Sequence, residues 1–261
     1  MLVGYVQNAP IFGDKKRNFK RVDFLLTYIR ADLIVLPELF ATGYAITSKK
    51  ELEFLAEEIG DDTTKFINEL SRKIKGVVVG GFIEKDGEKF YNSAIISENG
   101  NFIGVYRKIH LYCKEKLWFI PGDSPPKVFI TSKLKLGVMI CFDWFFPETA
   151  RTLALKGAEL IAHPANLVLP YCQKAMITRC LENRVYAITA NRIGQEKRGT
   201  DKFAFTGGSQ IINPKGEVLA SAPIDKTHVK VVEIDIKSAR DKRINEYNDL
   251  FKDRRRDLYE L

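Results

Sequence analysis

With 261 residues, 45% of them hydrophobic and 28% charged, the chain can bury a sizeable core, and layered α/β folds of this size commonly stay undivided. No apolar run approaches the ~20 residues needed to span a bilayer, and LVGYVQ at the start has no basic stretch followed by an apolar one, so a soluble, cytoplasmic protein without membrane contact is expected. The net charge of +8 invites a nucleic-acid partner, but from Lys237 to the end eight Lys or Arg face six Asp or Glu and leave only +2, the pattern of a solvated, ion-paired surface.

The hydrophobic period alternates along the chain. LVGYVQ reads as a strand, and DKKRNFKRVDFLLTYIR as a helix with Phe19, Val22, Leu25, Leu26 and Ile29 on one stripe. DLIVLPEL is a nearly all-apolar strand, as expected when both faces are covered. KKELEFLAEEI, behind the capping candidates Thr47 and Ser48, and DDTTKFINELSRKI, stopped by Gly76, read as helices. GVVVGGFIEK, FYNSAIIS and NFIGVYRK form a β-meander with turns at Asp86-Gly87 and Asn99-Gly100. KLGVMIC is a buried strand, and Pro147 stands where the first turn of a helix accepts proline, ahead of ETARTLALKG. ELIAHPA is a strand, QKAMITRCLENR a helix, YAITANRIG a strand, GGSQIINPKGEVLASA a hairpin, HVKVVEIDI a last strand and SARDKRINEYNDLF a helical tail. Two sheets between helix layers suit this order better than one doubly wound sheet.

Cysteines stand at 113, 141, 172 and 180 and histidines at 110, 163 and 228. None has metal-ligand spacing, so neither metal nor cofactor is expected, and no disulfide. Few Gln and His beside many Lys, Arg and Glu point to a thermophilic source.

In GVMICFDWFFPETAR a buried strand ends at Cys141 and a helix begins near Pro147, the elbow that presents a nucleophile and offers the next backbone N–H to an oxyanion. A buried structural cysteine fits the same pattern. A thiol with an ordinary pKa of about 8.5 needs a base or a nearby cation. His110 and His163 are candidates without an evident orienting partner, and His163, before Pro164 in an apolar strand, reads as structural. Glu38 closes the apolar run LIVLPE, where a carboxylate is costly unless paired; a loop or capping carboxylate is the alternative. Lys108 follows Arg107 at a strand end, and on spacing alone it reads as part of a solvated basic pair.

LPELFATGY, YRKIHLY with the following Glu115, and GVMICFDWFFPE together resemble the nitrilase, or carbon–nitrogen hydrolase, superfamily. The resemblance continues through PGD at 121–123, HPAN at 163–166, ENRVYAITANRIG and GGSQIINPKGEVLA, and so covers most of the chain. It implies a single-domain αββα sandwich over 1–261, with Cys141 as nucleophile, Glu38 as general base, Lys108 as stabiliser of the tetrahedral intermediate and Glu115 as a positioning glutamate. It also implies homodimers that pair through the elbow helix and its neighbour, with the tail from about residue 237 contributing. Lys108 would favour the thiolate, and Lys108 with the Phe142 N–H would hold the developing negative charge.

Trp144, Phe145, Phe146 and Tyr44 are candidate pocket walls, and Asn166 and Arg192 candidate polar pocket groups. Arg179, Glu182 and Arg184 lie on a helix suited to the dimer contact. Dedicated nitrilases carry Cys-Trp-Glu at the nucleophile, whereas this chain has Cys141-Phe142-Asp143, closer to amidase and N-carbamoyl-amine amidohydrolase members. The expected substrate is a small aliphatic amide, with small nitriles and N-carbamoyl amines as alternatives and a non-catalytic metabolite-binding or interaction module as the non-enzyme reading. Cys113, Cys172 and Cys180 are read as packing residues, and the glycine pairs at 80–81 and 207–208 as bulge or close-approach positions in strands.

Overall fold

A computed structural model describes residues 1–259. The strands are β1 (Leu2–Gln7), β2 (Leu33–Val35), β3 (Val77–Asp86), β4 (Lys89–Glu98), β5 (Asn101–Arg107), β6 (Val128–Ile130), β7 (Lys135–Val138), β8 (Leu160–Pro164), β9 (Tyr186–Ala190), β10 (Gln195–Arg198), β11 (Asp201–Ala204), β12 (Gln210–Ile212), β13 (Val218–Ser221) and β14 (His228–Glu233). The α-helices are α1 (Lys15–Leu25), α2 (Lys49–Leu55), α3 (Asp62–Ile74), α4 (Glu115–Trp118), α5 (Pro147–Leu155) and α6 (Cys172–Asn183).

Two six-stranded sheets result, ordered β14-β1-β2-β3-β4-β5 and β13-β12-β9-β8-β7-β6. In each, a parallel centre is flanked by antiparallel strands. The alternation of side chains across the short apolar strands decides the layering. Leu33, Val35, Val77 and Val79 point into a core shared with Leu136, Val138, Leu160 and Ala162 of the second sheet. Ile34 and Val78 point the other way, against Val22 and Leu26 of the first helical segment and Ile67, Leu70 and Ile74 of α3. Helices α5 and α6 cover the far side of the second sheet through Leu153, Ala154, Met176 and Cys180. The four-layer αββα sandwich expected from the sequence is therefore the fold.

Local chemistry explains most element ends. Ser48 caps α2 by accepting from Glu51 N, while the Glu51 carboxylate reaches back to Thr47 N at 2.9 Å, the reciprocal arrangement that favours a helix start. That helix stops at Leu55, short of the expected span, because Glu57 joins the sheet edge beside Glu84. The expected strand at DLIVLPEL is confined to Leu33–Val35.

The expected helical tail does not form. After a 3₁₀ turn at Ile236–Ala239 the chain bends repeatedly. Asp241 accepts from Arg243 N, Asn245 from Tyr247 N and Asn248 N, and Asp249 from Phe251 N and Lys252 N. These local side-chain bonds compete with helical ones. The β10–β11 ribbon was not expected, since its strands carry too few alternating apolar residues. Gly207 and Gly208 lie in a loop rather than in strands, and Cys113 is exposed instead of packed.

Candidate active site

Glu38 lies three residues beyond β2, where the chain turns away from the sheet. Leu39 takes φ +48°, and the turn lies so close to β3 that a Cβ on Gly81 would come within 2.5 Å of Leu39 N and 2.7 Å of Glu38 Cα. Only glycine at position 81 lets the carboxylate sit there. Glu38 is fully buried. Its Oε1 accepts from Asn92 Nδ2 and from Lys108 Nζ, both at 2.7 Å, and its Oε2 is buried without a hydrogen-bond partner. Lys108 follows β5 and is anchored by its own N–H on Asn92 O at 2.8 Å. Its ammonium also reaches both oxygens of Glu115 at 2.8 Å. Glu115 opens α4 and accepts from Tyr44 Oη at 2.8 Å and Tyr112 N at 3.1 Å.

Cys141 arrives from the other sheet. β7 ends at Val138, and a single 3₁₀ turn over Cys141–Phe145 precedes α5, with Pro147 as its first residue. Cys141 has φ +42°, a strain of about 1–3 kcal/mol for a non-glycine residue that the surroundings must offset. Two clamps do so. Asp143, fully buried, accepts from Ile140 N, His110 N and Tyr106 Oη at 2.8–3.0 Å, tying the elbow to the loop that follows Lys108. His163 lies against the Cys141 carbonyl with Nε2 at 2.9 Å and against Thr189 Oγ1 with Nδ1. Because a carbonyl only accepts, Nε2 carries the proton and Nδ1 accepts. Burial pulls His163 down to about 4, so it stays neutral, as the structural reading expected.

Burial disfavours the Lys108 ammonium, but Glu115 and Glu38 outweigh it and hold its pKa well above the ordinary value. Burial raises Glu115, with Lys108 opposing and Glu38 reinforcing. Cys141 is pushed well up, first by burial and then by Glu38, against the pull of Lys108 and of the Asn166 backbone N–H. One cation between two carboxylates leaves the site short of positive charge. Lys108 favours the Cys141 thiolate, as expected, but burial and the two carboxylates weigh against it.

A narrow cleft opens at Cys141, walled by Tyr112, Phe142, Trp144, Asn166 and Leu167 to Leu169. Both side-chain atoms of Asn166 are buried there without a partner. Trp144, a candidate wall, lines this cleft, and so does the Phe142 side chain. Tyr44 does not line this cleft: it borders a separate small cavity with Phe119 and Phe203 and donates its hydroxyl to Glu115. Arg192 is buried in an ion pair with Glu196, and Phe146 stacks on His110. Sequence reasoning missed Asn92, Tyr112 and Glu196. Asn92, a lone amide inside the apolar strand FYNSAII, was the one with a readable signal.

A two-sheet sandwich that closes a buried Glu–Lys–Glu cluster beside a cysteine at a strained elbow has the architecture of a hydrolase. The chain belongs to the carbon–nitrogen hydrolase family, whose model matches residues 2–244, and it is a hydrolase acting on non-peptide carbon–nitrogen bonds. A nitrilase of Pyrococcus abyssi is 49% identical over 261 residues, 98% of each chain. An N-carbamoylputrescine amidase of Solanum tuberosum is 33% identical over 252 residues, covering 88% of this chain and 83% of its own. The crystal structure of a carbon–nitrogen hydrolase from Helicobacter pylori G27 superposes with TM-score 0.90 at 29% identity, over 99% of this chain and 97% of the other. Among the described residues no helix is long and apolar enough to cross a membrane.

Proposed function

We propose that the chain hydrolyses small, uncharged amides to carboxylate and ammonia through a thioester on Cys141. The observation that carries this reading is the buried Glu38–Lys108–Glu115 cluster beside Cys141, with Glu38 Oε2 left free to take a proton. As Sγ bonds to the amide carbon, the thiol proton passes to Glu38 and the carbonyl electron pair moves onto oxygen. Lys108 Nζ and Phe142 N–H stabilise that oxyanion, each donor contributing roughly 3–4 kcal/mol. The carbonyl re-forms as the C–N bond breaks, and Glu38 returns the proton to the departing nitrogen. Glu38 then takes a proton from water, the hydroxide adds to the thioester, and the acid leaves as the proton returns to sulfur. Glu115 positions Lys108, and Asn166 offers its unpaired carboxamide to the substrate.

The walls of the cleft favour a neutral acyl group, since its lining residues are aromatic, aliphatic or amide. A cationic N-carbamoyl amine finds no carboxylate among them. A small nitrile is the second reading, favoured by the 49% identical relative that carries the name nitrilase. We also propose a homodimer built on α5, α6 and the chain from residue 237, because Leu155 and Leu181 on these helices and Phe145 beside them are 40–48% exposed; light scattering of the eluted protein tests it.

Ammonia release from neutral amides, N-carbamoyl amines and nitriles, run beside Cys141→Ala, tests the chemistry. Release from the amides that vanishes in the variant is the expected result. Release that survives in Cys141→Ala overturns the nucleophile, and release from nitriles alone moves the assignment to the second reading.

A further inference from the structure

The cluster around Lys108 does not end at Glu115. Tyr44, whose hydroxyl donates to Glu115, lies in a loop of the first sheet, and that loop is held by a carboxylate from the far half of the chain. Glu196, on the β10–β11 ribbon, is 7% exposed. Its Oε2 accepts from Ala45 N at 2.7 Å and Tyr44 N at 3.1 Å, and its Oε1 meets Arg192 Nη1 at 2.5 Å. Gly43, at φ +80°, lies so close that a Cβ there would come within 2.8 Å of Glu196 Oε1. Arg192 is itself 1% exposed, and its guanidinium lies 3.9 Å above the Phe205 ring. The Tyr44 ring meets Phe203 and Phe205 edge-on at 5.1 and 6.0 Å.

Burial of such a pair is costly and gives little net stability, so a structural brace explains it poorly. Its partners point elsewhere. The amides that Glu196 holds belong to Tyr44 and its neighbour, and the Tyr44 hydroxyl is one of the donors that fix Glu115 against Lys108. We propose that Glu196, oriented by Arg192, is a positioning residue for this hydrolase: it sets Tyr44 on Glu115 and thereby the place of the Lys108 ammonium. The proposal rests on the reading of Lys108 as oxyanion stabiliser. An ammonium misplaced by a fraction of an ångström binds the ground state nearly as well but serves the developing oxyanion poorly.

The test is a double-mutant cycle with Glu196→Gln and Tyr44→Phe, measuring kcat and KM for whichever amide the wild type turns over, with circular dichroism and thermal melting of each variant. Glu196→Gln is expected to lower kcat about 10- to 100-fold, the range seen when outer-layer partners of catalytic ligands are removed, with KM changed less than threefold. Tyr44→Phe is expected to do the same. The double variant is expected to be no slower than the slower single one, because both changes cut the same chain of contacts. Losses that multiply in the double variant, or a Glu196→Gln enzyme with wild-type kcat, overturn the proposal. If Glu196→Gln does not fold, Arg192→Lys takes its place in the cycle with the same expectations. If Cys141→Ala retains activity, the underlying reading of the site fails; if Cys141→Ala is dead while Glu196→Gln is unimpaired, only the positioning role fails.

Discussion

Two ion pairs of nearly equal length show how differently the two ends of this molecule use charge. Lys108 meets Glu38 at 2.7 Å with both side chains fully buried. Arg243 meets Asp241 at 2.9 Å with the side chains 65% and 51% exposed. In the first, water is excluded, the charges act on one another and on Cys141 at full strength, and any unpaired member is expensive. In the second, solvent and salt screen the attraction, and ordering two long side chains offsets what remains. Distance alone therefore says little about what an ion pair does. The interior pair acts on the buried cysteine beside it, whereas the tail pair shapes a surface turn.

The sharpest way to break this contrast is Lys108→Met. It leaves Glu38 and Glu115 facing each other in a dry site, with an expected cost of about 3–5 kcal/mol and loss of detectable turnover, read by urea unfolding and ammonia release. Glu115, already raised by burial, should take up a proton, so the variant regains stability as the pH falls. Glu38→Gln keeps shape and most hydrogen bonds but removes the proposed base. Its kcat should fall roughly 10²–10⁴-fold with the thermal midpoint little changed, and a variant that retains kcat would remove Glu38 from the chemistry.

A third test concerns the same exclusion of charge at His163. Its pKa falls from 6.5 to about 4 on folding, so between these values the unfolded chain binds a proton that the folded one refuses. The contribution of His163 to stability should be constant above about pH 6.5 and decline by about 3 kcal/mol as the pH falls to 4. His163→Gln should flatten that slope in urea titrations, and an unchanged slope would place the acid sensitivity elsewhere. The smallest effect belongs to the tail. Arg243→Ala should leave the thermal midpoint of the protein unchanged within error in low and high salt, and a clear drop would show that the tail pair acts as part of a larger contact.

How far the sequence alone reached depends on the range of the interactions involved. Apolar runs such as LIV at 33–35 and VVV at 77–79 named the buried strands, because a strand covered on both faces has little choice of residue. Ser48 and Pro147 marked helix starts through bonds and torsions that span only a few residues. Glu38, Lys108, Glu115 and Cys141 were legible as motifs, though nothing in their spacing states that residues 70 positions apart meet at 2.7 Å. The balance of influences on Cys141 was not legible, since it sums two carboxylates, one ammonium and burial over three dimensions. The tail was misread because helical propensity lost to local Asp and Asn bonds. The Glu196–Tyr44 contact joins residues 152 positions apart through a ribbon with no apolar alternation to announce it. Chain-local chemistry, read from the sequence, determined most of the elements, and motifs resembling a family named the candidate reactive groups. Only the closure of two sheets upon each other decided which charges are dry, which are paired, and what each pairing does to its neighbours.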